Sequence, residues 1–124
     1  MKLTVNEKDT LKIIAKRAIE YPLVKGFNYS IDTTLLTANL KEKAATFVTL
    51  HKHEELRGCI GTLTAINPLA EDVAKNAYMA AYKDDRFYAL KANELNDINI
   101  EISILSHPEK ISFEDEQDLI SKLT

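Results

Sequence analysis

The stretch Ile98-Asn99-Ile100-Glu101-Ile102-Ser103-Ile104 alternates apolar and polar residues without a break. Side chains of an extended chain point to opposite faces in turn, so four isoleucines fall on one side. Asn99, Glu101 and Ser103 fall on the other. Such a strand must bury its isoleucine face, and the rest of the chain has to supply the layer that covers it.

Two segments have the pattern of that layer. Residues from Asn6 to about Tyr21 predict a helix. Asn6 is suited to the N-cap, Glu7 and Asp9 place negative charge in the first turn, and Leu11, Ile14, Ala15, Ala18 and Ile19 form one apolar stripe. Pro22 is expected to stop it. A second helix begins near Pro68, a residue suited to the first turn, with Asn67 as its cap. Its inner face, Leu69, Val73, Ala77, Ala80 and Ala81, is small after the first turn, which lets a helix lie close to a sheet.

Thr46–His51 and Leu56–Leu63 are the other strand-like runs, and Lys52-His53-Glu54-Glu55 joins them as a hairpin loop. A loop of two or four residues sets Val48 opposite Cys59, Leu50 opposite Arg57, Phe47 opposite Ile60 and Thr49 opposite Gly58. Pro108 closes the isoleucine strand, and Glu114–Leu123 reads as a final acidic helix. Residues 23–44 are less regular: Gly26 marks a bend, and Thr33, Thr34 and Leu35–Leu40 read as either a short helix or a loop. The order helix, hairpin, helix, strand, helix gives an α+β class, with helices packed on a mainly antiparallel sheet. A length of 124 residues fits one domain, spanning 1–124.

Charge narrows the functions. With 16 Lys+Arg against 19 Asp+Glu, there is no overall basic field to attract nucleic acid or an anionic membrane. Along the chain the aromatic residues are not interleaved with basic ones, so a base-stacking platform is not expected either. No run approaches the ~20 apolar residues of a membrane span. The single cysteine leaves no intrachain disulfide and fits a reducing, cytoplasmic setting.

Chemistry concentrates in Leu56-Arg57-Gly58-Cys59-Ile60-Gly61. Glycine inside a strand weakens it unless a helix or a ligand needs the space. Cys59 is a candidate nucleophile or redox thiol if a base and a cation lie near it. A buried small apolar role is the alternative. Arg57 is either an anion clamp or the partner of a carboxylate, with Glu101 the expected one. In that arrangement Arg57, Glu101 and Ser103 line one cleft, and Gly58 and Gly61 open main chain to a ligand. His51 and His53 could share a metal ion, but a zinc site needs three or four ligands, so a solvated loop and no metal site is the expectation. Asp84-Asp85-Arg86-Phe87 reads as a helix-end ion pair with an apolar anchor.

These residues are similar to a known family. Phe47-Val48-Thr49-Leu50, the Leu56–Gly61 run, Pro68-Leu69-Ala70-Glu71-Asp72-Val73 with Asn76-Ala77, Asp84–Phe87, Glu94-Leu95 and Ile100–Ser106 together resemble the AMMECR-type domain. Leu-Arg-Gly-Cys-Ile-Gly is that family's signature. Two departures stand out. Asp85 replaces a usual proline, and the chain stops at Thr124, short of the family's C-terminal part. The resemblance implies an α+β fold around a cleft and no established reaction or cofactor. It implies partners, Memo-like and radical-SAM proteins, and through them RNA base modification as a setting. Carried over, the site residues are Arg57, Gly58, Cys59 and Gly61, with Arg86 and Glu101 secondary.

Overall fold

The computed structural model describes residues 3–105 and the backbone of 109–113. Four strands, β1 (Thr46–Lys52), β2 (Glu55–Gly61), β3 (Ile98–Ile104) and β4 (Glu109–Phe113), form an antiparallel sheet in the order β2-β1-β3-β4. Helices α1 (Val5–Val24) and α3 (Leu69–Tyr82) pack against each other, and α3 lies on β1 and β2. The α+β expectation holds. Short α2 (Ala38–Lys41) and two 3₁₀ segments, Thr33–Leu35 and Ala92–Asp97, fill the connections. Among the described residues no helix is long and apolar enough to cross a membrane. Pro108, His107 and the expected helix Glu114–Leu123 lie outside the described residues.

The isoleucine strand runs through the middle of the sheet, as its pattern requires. Ile102 and Ile104 are buried with Val48 and Leu50 of β1 and with Leu69, Val73, Ala77, Ala80 and Ala81 of α3. Burying a Leu, Ile or Val side chain is worth roughly 1.5–3 kcal/mol, so this seam carries much of the stability. β4 was not expected. Lys110-Ile111-Ser112-Phe113 does alternate, but Pro108 drew attention to an ending.

Both ends of α1 differ from expectation. The cap is Thr4, not Asn6: Thr4 Oγ1 accepts from Glu7 N–H and Glu7 Oε1 accepts from Thr4 N–H, a reciprocal capping box. Pro22 sits inside the last turn, where few hydrogen bonds remain for it to break, and the helix ends at Val24 with Lys25 as its C-cap and Gly26 (φ +78°) just beyond. Glu7 also accepts from Thr37 and Asn39, which ties the helix start to the α2 region.

A polar network pins the β1–β2 ribbon to α3. The fully buried Asp72 carboxylate accepts from Thr46 N–H (2.9 Å) and Oγ1 (2.7 Å), from Thr62 Oγ1 (2.9 Å) and from Asn76 Nδ2 (3.2 Å). Asn76 Nδ2 also donates to the Thr46 carbonyl (3.0 Å). Asn67 is no side-chain cap; its amide instead reaches Asp72 Oδ1 (3.3 Å). These bonds satisfy groups that would otherwise be costly to bury.

The hairpin turns on only two residues. Lys52 pairs with Glu55, leaving His53 (φ +51°) and Glu54 (φ +69°) in the left-handed region. That conformation matches the strand twist but costs a residue with a Cβ roughly 1–2 kcal/mol. Glu54→Gly should therefore raise stability by about 1 kcal/mol, read as a higher denaturation midpoint with unchanged slope.

Candidate functional site

A bulge in β2 sets the site. Near the turn the pairing is the expected one, His51 with Leu56. Between Leu50 and His51 the register slips, and Leu50 faces Gly58 rather than Arg57. Arg57 is thus the extra residue of a bulge. Beyond it every expected pair moves by one: Phe47 faces Gly61, Val48 faces Ile60 and Thr49 faces Cys59. Period-two alternation along β2 predicts Arg57 and Cys59 on one face, and the bulge breaks it. Arg57 and Gly58 are both buried, whereas Cys59 is half-buried beside Thr49, its Sγ 3.3 Å from Thr49 Oγ1.

Arg57 therefore has a different carboxylate from the one expected. Its Nε and Nη2 donate to Glu94 Oε2 (3.0 Å) and Oε1 (3.2 Å), and Nη2 also donates to the Tyr88 carbonyl (2.9 Å). Lys52 Nζ (3.1 Å) and Lys91 N–H (3.0 Å) complete the Glu94 shell. Lys52 lies on the same side of β1 as the buried Val48 and Leu50, so this cluster belongs to the helix side of the sheet. Glu101 faces Thr49 on the other side, which removes the cleft of Arg57, Glu101 and Ser103. The Arg57 guanidinium lies 4.6 Å from the Tyr88 ring and 5.8 Å from the Phe87 ring. Its Nη1 is buried without a hydrogen-bond partner. The Arg57 hydrogen bonds hold Glu94 down from 4.5 to a pKa of about 2, against the opposing effect of burial.

Cys59 is linked to a cation through a carboxylate. Asp84, buried at the end of α3, accepts the Cys59 main-chain N–H through Oδ2 (3.0 Å). The same oxygen accepts from Arg86 Nη2 (2.7 Å), and Oδ1 accepts from Arg86 Nε (3.0 Å) and N–H (3.1 Å). Arg86, with an exposed side chain, has its pKa raised chiefly by Asp84, with a smaller contribution from Cys59. Asp84 in turn is held far below the usual carboxylate range, mainly by Arg86. The Phe87 ring stands between the two arginines, 5.4 Å from Arg86 and 5.8 Å from Arg57.

The glycines have internal reasons. A Cβ on Gly58 would overlap the Ala80 carbonyl oxygen of α3, and one on Gly61 would fall inside the Phe47 ring. Both spaces are filled by the chain itself, which accounts for the two residues without a visiting ligand. His53 Nε2 lies 3.8 Å from Asp97. Among the described residues no three His, Cys, Asp or Glu side chains are placed to hold a metal ion.

The expected ion pair of Arg86 in the Asp84–Phe87 turn is present, but sequence reasoning missed Glu94 as the partner of Arg57 and Asp84 and Thr49 as the partners of Cys59. Glu94 is far from Arg57 in the chain, and only its place beside a buried guanidinium marks it. Asp84 had a signal, since a helix-end acid can turn back onto an edge strand.

The geometry defines a class: an α+β domain in which the Arg-Gly-Cys strand is clasped by the Asp-Asp-Arg-Phe turn and by Glu94. The AMMECR1 family profile matches residues 13–123, and the chain belongs to the AMMECR1 family. A protein of Methanopyrus kandleri is 37% identical over 125 residues, 98% of this chain and 59% of its own length. One from Sulfolobus acidocaldarius is 48% identical over 86 residues, 66% of this chain and 38% of its own length. The crystal structure of an uncharacterized protein from Pyrococcus horikoshii superposes with a TM-score of 0.74 at 34% identity. That match covers 84% of this chain and 53% of the other. The chain thus spans about half the length of such relatives.

Proposed function

We propose that this chain is a binding component whose contact surface is centred on Cys59 and Arg86, acting beside Memo-like and radical-SAM proteins in RNA base modification. The setting comes from the family resemblance. The role rests on one observation: the thiol's hydrogen-bond partner is the Thr49 hydroxyl, while the Arg86 side chain, 57% exposed, is held by the same Asp84 oxygen that accepts the Cys59 main-chain N–H. A hydroxyl does not take a thiol proton at neutral pH, so the hydrogen bond of Cys59 among the described residues is not to the base that a nucleophile needs. An exposed arginine held rigidly by a carboxylate is instead a frequent anchor of interfaces.

The second reading is an enzyme in which Cys59 is the nucleophile or redox thiol. The electrostatic reach of Arg86 to Cys59 favours it, because a cation stabilises a thiolate. Arg57 is a weaker anion clamp, since Glu94 already takes two of its nitrogens.

Co-purification with a Memo-like protein tests the first reading. Arg86→Glu should weaken capture about tenfold or more, and Cys59→Ser should leave it within about twofold. Iodoacetamide at neutral pH should label Cys59 more slowly than it labels free cysteine. Faster labelling, together with loss of base modification in Cys59→Ser while capture persists, would assign the chemistry to the thiol.

A further inference from the structure

No stretch of the chain interleaves aromatic and basic residues, yet the fold assembles both on the outer side of the helical layer. Arg17, Tyr21 and Lys25 stand at four-residue steps and share one stripe of α1. The chain after α1 returns Tyr29 to 4.9 Å from Tyr21, ring to ring, at 78°. Lys25 Nζ lies 4.7 Å from the Tyr21 ring and the Arg17 guanidinium 5.9 Å from the Tyr29 ring. From α3, Lys75 and Tyr78 face the same region.

Between them is a hollow of about 180 Å³ lined by Ala18, Asn28, Tyr29, Ala74, Lys75 and Tyr78. The two alanines make its floor. Tyr29 and Tyr78 contribute ring surface, and Asn28 and Lys75 contribute polar groups. Drug-sized ligands occupy roughly 300 Å³ or more, so this volume suits one flat ring system. Arg17 and Lys75 supply positive charge; Arg17 interacts chiefly with the Tyr29 side chain, and Glu20 is a neighbouring carboxylate with a smaller effect on it. Flat on one part and anionic on another is the chemistry of a nucleotide. Aromatic rings beside cations are how proteins hold nucleotides of single strands without reading sequence.

We propose that this hollow binds a nucleotide, its base against Tyr29 and Tyr78 and its phosphate toward Arg17 and Lys75. The proposal stands apart from the Cys59–Arg86 surface and does not depend on it. The overall negative charge of the chain is no obstacle, because the cations are local. The base brings the binding energy, and the phosphate adds a modest salt-dependent part.

Fluorescence anisotropy of a labelled twelve-residue oligouridylate tests it at low salt, with uridine monophosphate as competitor. Binding should weaken about tenfold in Tyr78→Ala. The exposed Lys75→Glu, which keeps the ring and the packing, should weaken it as well and flatten its salt dependence. Glu54→Gly, in the hairpin turn and outside the lining of the hollow, should bind as the parent does. Competition by the mononucleotide identifies a free nucleotide as the ligand, and its failure to compete identifies a strand. Either result supports the site. Absence of binding by both probes, or binding unchanged in Lys75→Glu and Tyr78→Ala, overturns it.

Discussion

Glu94→Ala should destabilise the protein by about 3–5 kcal/mol, the range found when one partner of a buried ion pair is removed. The cause is what remains. Arg57 is only 6% exposed, and without Glu94 its guanidinium keeps a charge beneath Tyr88 with the Tyr88 carbonyl as its one acceptor. Lys52 loses its carboxylate at the same time. Arg57→Ala should have a comparable effect, because it strands the Glu94 charge. Arg57→Met with Glu94→Leu should recover most of the loss, since an apolar pair of similar volume avoids desolvating either charge. Urea melts of the parent, Arg57→Met, Glu94→Leu and the double variant measure the coupling, and a double variant as unstable as the sum of its two singles would show that the pair does not act as a unit.

The same pair sets the acid response. Glu94 has a lowered pKa in the folded chain, so its contribution is complete above the ordinary value near 4.5 and is lost as pH falls toward about 2. That drop corresponds to roughly 3 kcal/mol. Stability of the parent should fall across this window, and the Arg57→Met, Glu94→Leu protein should show a shallower fall.

Gly58→Ala is the other large effect, about 3 kcal/mol or more. The added methyl would meet the Ala80 carbonyl oxygen, which belongs to a helix backbone and cannot rotate away. To admit it, α3 must lift from β2, and Leu69, Val73, Ala77 and Ala81 lie along the same seam. Overpacking of a tight core costs about 1–3 kcal/mol even where side chains can adjust. Gly61→Ala makes a useful control. Its obstacle is the half-buried Phe47 ring, which can turn aside, so its effect should be smaller and should nearly vanish when Phe47 is also replaced by leucine. Equal losses at the two glycines would mean that the helix approach is not what demands Gly58.

What periodicity can encode was legible in advance: the β3 strand, the small inner face of α3 and the α+β class all follow from it. What depends on a single extra residue was not. The bulge at Arg57 leaves no mark on composition, yet it moves Cys59 from Val48, on the helix side, to Thr49, on the other face; the pairing of Thr49 with Glu101 separately places Glu101 across the sheet from Arg57. Pairings between distant segments were equally hidden. Glu94 and Asp84 reach β2 only because α3 and the chain after it fold back over the β1–β2 ribbon, and the aromatic-basic cluster forms only because α1 packs against α3. The Asp72–Asn76 pair did carry a signal: two polar residues four apart, one helical turn, interrupt the inner face of α3, a spacing that suits a network buried against the sheet.

β2 forms a margin of the sheet, and its Cys59 amide hydrogen points outward into the Asp84 carboxylate. Unpaired amides along such a margin invite foreign strands to zip on and begin fibrous growth. Here the polypeptide has stoppered the vulnerable spot with its own turn, so an intruding chain must first evict a carboxylate that Arg86 holds in place.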